Sequence, residues 1–268
     1  MRTYLLIIAL IAATLLSGCG NKQKPNTSAE MNTKITFTTS KEVGEKIILS
    51  INADEADQSD IWIDLNNNGV KDKGEAVTEF GEEAFVETEF KLRAQTVTLY
   101  GNVTHFTCVE NEITDLDVSE NPLLIDLNCN NNDLTSLDVS KNTALEALGC
   151  RSNKIASLDL SENQALEELL CGCKELTSLT LSNPELELID ANFSSLTSLD
   201  LSACPGLQEV RILENNFTEE ALEAMFGTLP DRTDQSWEGK AKINGNPGTE
   251  TVDTSIAESK NWVVVKEF

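Results

Sequence analysis

Between residues 106 and 217 the apolar positions recur with a period of 21. The clearest copies read LTSLDVSKNTALEALGCRSNK, starting at Leu134, and IASLDLSENQALEELLCGCKE, starting at Ile155. Aligned, they give columns. One holds Phe106, Leu127, Leu148, Leu169, Ile189 and Val210; two residues on lie Cys108, Cys129, Cys150, Cys171, Ala191 and Ile212. Others run through Leu116, Leu137, Leu158, Leu179 and Leu199, and through Leu124, Leu145, Leu166, Leu186 and Leu207. One residue is lost between Thr180 and Asp190. Such columns predict a solenoid, in which each repeat covers its neighbour and none is stable alone. Within each repeat the pattern alternates on both sides, as in SLDLS, so the repeats are expected to be mostly extended with little helix.

The flanks have other periods. Residues 34–96 alternate in strand fashion (Ile35 and Phe37; Ile47, Leu49 and Ile51; Ile61 and Ile63; Phe90 and Leu92) between Gly44, Gly69, Gly74 and Gly81. This predicts a small all-β domain covering the first repeat. After residue 217 a helix is expected from the Thr218 cap through Phe226, then a strand at Lys240–Ile243, a turn at Asn246-Pro247-Gly248, a short helix near 254–260 and a strand from Trp262. Residues 218–268 thus read as an irregular α/β cap. Residues 1–18 carry an apolar run too short to span a bilayer comfortably, and residues 19–33 are a polar tether.

Two resemblances follow from these residues. Leu16-Ser17-Gly18-Cys19 resembles a bacterial lipobox, which implies cleavage before Cys19, its lipidation, and anchoring at the cell envelope, with the outer membrane or cell surface expected. Leu145-xx-Leu148-x-Cys150-xx-Asn153-x-Ile155 resembles the leucine-rich repeat family. In that family the asparagine, here Asn111, Asn132, Asn153 and Asn215, satisfies backbone groups where the strand turns. Lys174 and Ser194 depart from that column, so weaker stacking is expected between them. The short repeat is similar to those of Bacteroidetes internalin-like surface lipoproteins. The implied layout is a signal peptide 1–18, a tether 19–33, a β-domain 34–96, leucine-rich repeats 97–217 and capping repeats 218–268.

Composition narrows the function. Of 268 residues, 45 are Asp or Glu and 20 are Lys or Arg, a net charge of −25, so a nucleic-acid partner is not expected. The single His105 argues against histidine acid–base chemistry. The cysteine column asks for a small apolar side chain, and free thiols suit it better than disulfides. Cys173 is expected to point away from the core, and Cys204 to fill a structural turn position.

The run DLNNNGVKDKGE places Asp64, Asn66, Asn68, Val70, Asp72 and Glu75 at the ligand positions of a twelve-residue calcium loop. A structural Ca²⁺ and a plain Asn-Gly hairpin both fit, since the flanks are strand-like. The column Asp117, Asp138, Asp159 and Asp200 reads as a solvated edge. On the concave side Asn128, Arg151, Leu170, Leu188, Asp190, Asn192, Arg211 and Leu213 lie between inward positions and are expected to face solvent as a partner surface. The function expected is a monomeric, non-catalytic, membrane-anchored module that binds a protein or peptide in adhesion or interaction. A glycan-binding component of an uptake or attachment system and a structural envelope protein are the alternatives.

Overall fold

The computed structural model describes residues 33–80 and 86–267. The expected signal peptide, Cys19 and the expected tether up to residue 32 lie outside them. The chain begins with β1 (Lys34–Thr39), β2 (Lys46–Asn52), a 3-10 turn at Gln58–Asp60, β3 (Trp62–Asp64), β4 (Thr88–Lys91) and β5 (Thr96–Tyr100). The repeats supply β6 (His105–Thr107), β7 (Ile113–Asp117), β8 (Asp126–Asn128), β9 (Ala147–Gly149), β10 (Ser157–Asp159), β11 (Glu168–Leu170), β12 (Ser178–Thr180), β13 (Leu188–Asp190) and β14 (Glu209–Arg211). The end of the chain adds α1 (Glu219–Thr228), β15 (Gly239–Lys242), α2 (Ser255–Ser259) and β16 (Trp262–Val265).

The 21-residue period becomes a stack of parallel rungs. Residue pairs such as Leu127 with Leu148, Leu148 with Leu169, Leu169 with Ile189 and Ile189 with Val210 sit side by side. The ten-stranded sheet runs in the order β16-β15-β14-β13-β11-β9-β8-β6-β2-β4. The fold is a leucine-rich repeat solenoid, with few helices. Its inward columns are sealed: Leu127, Cys129, Leu134, Leu145, Ile155, Leu166 and Leu169 have no exposed surface. Each such leucine contributes about 1.5–3 kcal/mol of transfer free energy, which no single repeat could collect without neighbours above and below.

The cysteines line this wall as free thiols. Cys108, Cys129, Cys150, Cys171, Cys173 and Cys204 are all buried and unbridged. Their N–H groups help build the sheet: Cys129 donates to the Gly149 carbonyl at 2.7 Å and Cys150 to that of Leu170 at 2.8 Å. Burial pushes the Cys129 thiol up to about 12, so it stays protonated at neutral pH. Cys173 corrects the sequence reading. It is 1 % exposed, and its Sγ lies 3.1 Å from the Cys150 carbonyl. It fills the role of the missing asparagine from one position earlier than Lys174, while Ser194 Oγ accepts the Cys173 N–H at 3.2 Å. These substitutes keep β11 and β13 paired across the irregular repeat.

Two asparagine ladders hold the turns. Asn132 Nδ2 donates to the carbonyls of Cys108 and Cys129, and its Oδ1 accepts the N–H groups of Asn111 and Ile113. Asn153 and Asn215 repeat the arrangement. So does Asn246, which donates to Ile212 and Ile243 and accepts from Phe217. The residue expected to mark a simple turn is thus the next member of the column. On the far edge Asn142, Asn163 and Asn183 each donate to two carbonyls of the preceding repeat.

The aspartate column beside that edge also has work the sequence reading missed. Oδ1 of Asp138, Asp159 and Asp200 accepts the backbone N–H two residues on, from Ser140, Ser161 and Ser202, at 2.9–3.0 Å. Those hydrogen bonds hold the three carboxyls below the usual range. The stacked like charges are each locked into a turn rather than merely solvated.

Both ends are joined to the stack. β1 lies between β5 and β7, β2 pairs antiparallel with β6, and Phe37 packs on Phe106 with ring centroids 6.2 Å apart. The first β region therefore extends both faces of the solenoid. At the other end Thr218 caps α1, and Leu222, Met225 and Phe226 bury its inner face. Lys260 Nζ donates to the Phe226, Gly227 and Leu229 carbonyls and closes that helix.

Candidate functional site

Along each short rung the central residue points into the core and its two neighbours onto the concave sheet. The stack thereby sets Asp126, Ala147, Glu168, Leu188 and Glu209 in one row, and Asn128, Gly149, Leu170, Asp190 and Arg211 in the next. The sequence-predicted partner residues do share this face, but not all are open to solvent. Leu170 and Leu188 are each 7 % exposed and Asp190 is 3 % exposed. Side chains on rungs about 4.8 Å apart cover one another, which the count of inward positions does not capture. Leu213 is half-buried.

Asp190 sits at the centre of a charge cluster. It is ion-paired with Arg151, and Arg211 Nη1 lies 3.5 Å from its Oδ2. Arg211 Nε and Lys242 Nζ both reach Glu209 Oε1 at 2.8 Å. Burial works to raise the Glu209 pKa; the hydrogen bonds from Arg211 and Lys242 outweigh it and hold the carboxyl low. The cluster therefore links the turn after β9 with β13, β14 and β15 as alternating charge. Asp190, Glu209, Arg211 and Lys242 stand on hydrogen-bonded rungs, and the Arg151 turn is held by the Asn131 N–H at its carbonyl at 2.8 Å, so the pattern is built before any partner arrives.

Asn128 and Asn192 serve the rung ends. Asn128 Oδ1 accepts the Asn130 N–H at 3.2 Å, and Asn192 Oδ1 accepts that of Leu213 at 2.8 Å. Gly172 has a geometric cause, since a Cβ there would lie 2.3 Å from the Asn192 carbonyl oxygen.

Phe193 is a residue that sequence reasoning missed. It is 63 % exposed and adopts φ +57°. Glu110, Asn131, Ser152 and Glu214 hold the same left-handed backbone at matching turns. An aromatic at such a position costs about 1–2 kcal/mol, and Phe193 lies next to Asn192 at the end of the Asp190 rung. The available signal was an aromatic in a column that otherwise holds Glu110, Asn131, Ser152, Cys173 and Glu214.

The other half of the face is acidic. Asp126, Asn128, Ala147, Gly149, Glu168 and Leu170 border a notch of about 10 Å³, room for no more than one water. Burial first, and the neighbouring Glu168 second, push the Asp126 carboxyl up to about 7. The folded state then holds a proton that the unfolded chain, titrating near 4, has released. Stability falls as pH rises through that window. A three-unit shift corresponds to about 4 kcal/mol, and water reaching the half-buried group lowers that to about 1–2 kcal/mol. Asp126→Asn is expected to raise the melting temperature at pH 8 and leave it unchanged near pH 4.

In the Asp64–Glu75 loop the two end carboxylates are fully buried. Asp64 accepts the N–H groups of Asn68 and Gly69, and Glu75 those of Leu65 and Asp72. The Asn66 and Asn68 amides both donate to Asp72. The Val70 side chain is exposed. The loop thus closes on itself through the positions a cation would use. Among the described residues no group of three or more His, Cys, Asp or Glu side chains is arranged to hold a metal. No described helix is long and apolar enough to cross a membrane.

No family model matches the chain, and no curated protein matches it. Solved structures do. The functional domain of InlJ from Listeria monocytogenes, which includes a cysteine ladder, is similar at 23 % identity over 53 % of this chain, with a TM-score of 0.25. The chain spans 45 % of that structure. Internalin C2 from the same species is similar at 15 % identity, covering 62 % of this chain and 81 % of the other, with a TM-score of 0.39. Internalin InlF gives 16 % identity, 60 % and 59 % coverage, and a TM-score of 0.30. At these TM-scores the likenesses carry no argument about function, which rests on the chain's own concave face.

Proposed function

We propose that this protein is a non-catalytic binding module that holds a protein or peptide on its concave sheet. The observation that supports this most is the preformed line of alternating charge through Arg151, Asp190, Arg211, Glu209 and Lys242, with the exposed Phe193 beside it. Arginine and aromatic groups on a rigid support supply much of the energy of protein contacts. The shallow notch favours a surface-to-surface contact over an enclosed small ligand.

The test is capture from envelope fractions and extracellular material by the full chain and by Arg151→Glu, Arg211→Glu and Phe193→Ala variants with unchanged circular dichroism. Loss of one partner with all three supports the reading; unchanged capture rejects this face. A glycan array addresses the alternative of an uptake or attachment component, and a protein that captures nothing on either would fit a structural envelope role.

The lipobox supports the proposal that Cys19 carries the membrane anchor. Cys19→Ser should then move the protein from the membrane fraction to the soluble one. The calcium proposal for the Asp64–Glu75 loop is supported by its two buried end carboxylates. Calorimetry with Ca²⁺ is expected to show a binding heat that Glu75→Gln removes; no heat in the native protein would leave a hairpin held by its own hydrogen bonds.

A further inference from the structure

The two ends of the ten-stranded sheet are finished differently. At one end, β4 carries the exposed charges Glu89 and Lys91, and Glu89 is ion-paired with Lys46 on β2. Charged side chains of this kind discourage strand addition. At the other end, β16 reads Trp262-Val263-Val264-Val265 and has no strand beyond it among the described residues. The direction of its free backbone groups follows from the register. Gly239 N–H donates to the Asn261 carbonyl and Ile243 N–H to that of Val265. Gly239 lies opposite Trp262 and Ala241 opposite Val264. In a parallel pair this directs the backbone groups of residues 261, 263 and 265 toward β15, and those of Trp262 and Val264 outward.

A groove of about 300 Å³ runs along this edge, lined by Glu238, Glu258, Asn261, Trp262, Val263 and Val264. Val263 is 40 % exposed within it. The nearby ammonium groups of Lys260 and Lys266 are bonded to carbonyls, at the end of α1 and at Val252. Lys240, opposite Val263 on β15, is exposed. The charges on the groove wall itself are the two exposed carboxylates, on a chain of net charge −25.

We propose that β16 is a strand-addition site for an extended, basic polypeptide segment, which pairs with the Trp262 and Val264 backbone and places a lysine or arginine against Glu238 and Glu258. Strand addition takes its affinity from main-chain hydrogen bonds and its specificity from alternate side chains. Charge argues against a second copy as the occupant, because a symmetric pairing would bring two sets of these carboxylates together.

A blocked nonapeptide alternating valine and lysine, added to the full chain, tests this by hydrogen exchange. The Val264 amide is expected to exchange about tenfold more slowly with the peptide bound. Val264→Pro removes only an outward-facing N–H, a place where edge strands tolerate proline, and should abolish the slowing that the peptide gives the other outward-facing amide, that of Trp262. Glu238→Lys combined with Glu258→Lys should weaken it while leaving the edge backbone intact, and this pair decides the matter if the proline variant does not fold. Arg211→Glu on the concave face should leave it unchanged, which separates this site from the proposed partner surface. The proposal is overturned if the protection survives the two charge reversals or spreads over the concave rungs. It is also overturned if the Trp262 and Val264 amides are protected without peptide in a protein that sediments as a dimer.

Discussion

Asn132→Ala is expected to lower the stability of the fold by about 3–5 kcal/mol. The Asn132 side chain reaches five backbone groups: three carbonyls, of Cys108, Cys129 and Asn130, and two N–H groups, of Asn111 and Ile113. It is 7 % exposed, so water cannot readily replace it. Each buried group left without a partner costs about 1–3 kcal/mol, and partial relaxation keeps the total below the simple sum. For a chain this long the melting temperature should drop by about 10 °C. Asn128→Ala is the contrast, because Asn128 accepts one short-range hydrogen bond on the concave surface and its loss should cost under about 1 kcal/mol. Equal losses in the two variants would show that the ladder is not what holds the turns.

Asp190→Ala is expected to cost about 2–3 kcal/mol and to abolish capture of the partner. The Asp190 carboxylate is buried between Arg151 and Arg211. Without it Arg151 keeps no carboxylate within salt-bridge distance among the described residues, while Arg211 retains Glu209. The two arginine side chains are 30 % and 20 % exposed, so solvent screens part of the loss and the cost falls short of that of a fully buried pair. Asp190→Asn separates the effects, since its side-chain oxygen can still accept the Asn192 N–H that Asp190 Oδ1 holds at 3.2 Å. The amide variant should keep most of the stability and still lose binding. Retained binding in both variants would mean that the charge line is a structural brace and not a recognition surface.

The solenoid was legible because its signal is periodic. Leu148 and Cys150 repeat at fixed spacing, and stacking is the arrangement that buries every copy. The helix capped by Thr218 and the strand at Trp262 were readable from capping and alternation. Asn246 was not, because the repeat lengthens after Phe217 and an Asn-Pro-Gly run carries the stronger local meaning of a turn. Cys173 was misplaced for a related reason: in the irregular repeat the ladder position moves by one residue, so the column pointed to Lys174. The burial of Leu170, Leu188 and Asp190 depends on what flanks them on the next rung, a contact that a single strand's alternation does not contain. Phe193 escaped notice because its exposure comes from a left-handed turn, visible only once the backbone is known.

The account rests on one register that places the thiol column inside the stack, and counting reactive thiols tests it most directly. In a protein carrying Cys19→Ser, the six remaining cysteines are all buried and free. A thiol reagent applied to the native protein at neutral pH, without reductant, should find none of them; after unfolding it should find all six. Rapid reaction of Cys108, Cys129, Cys150 or Cys171 in the native state, or fewer than six thiols after unfolding, would contradict the packing from which every other claim is built.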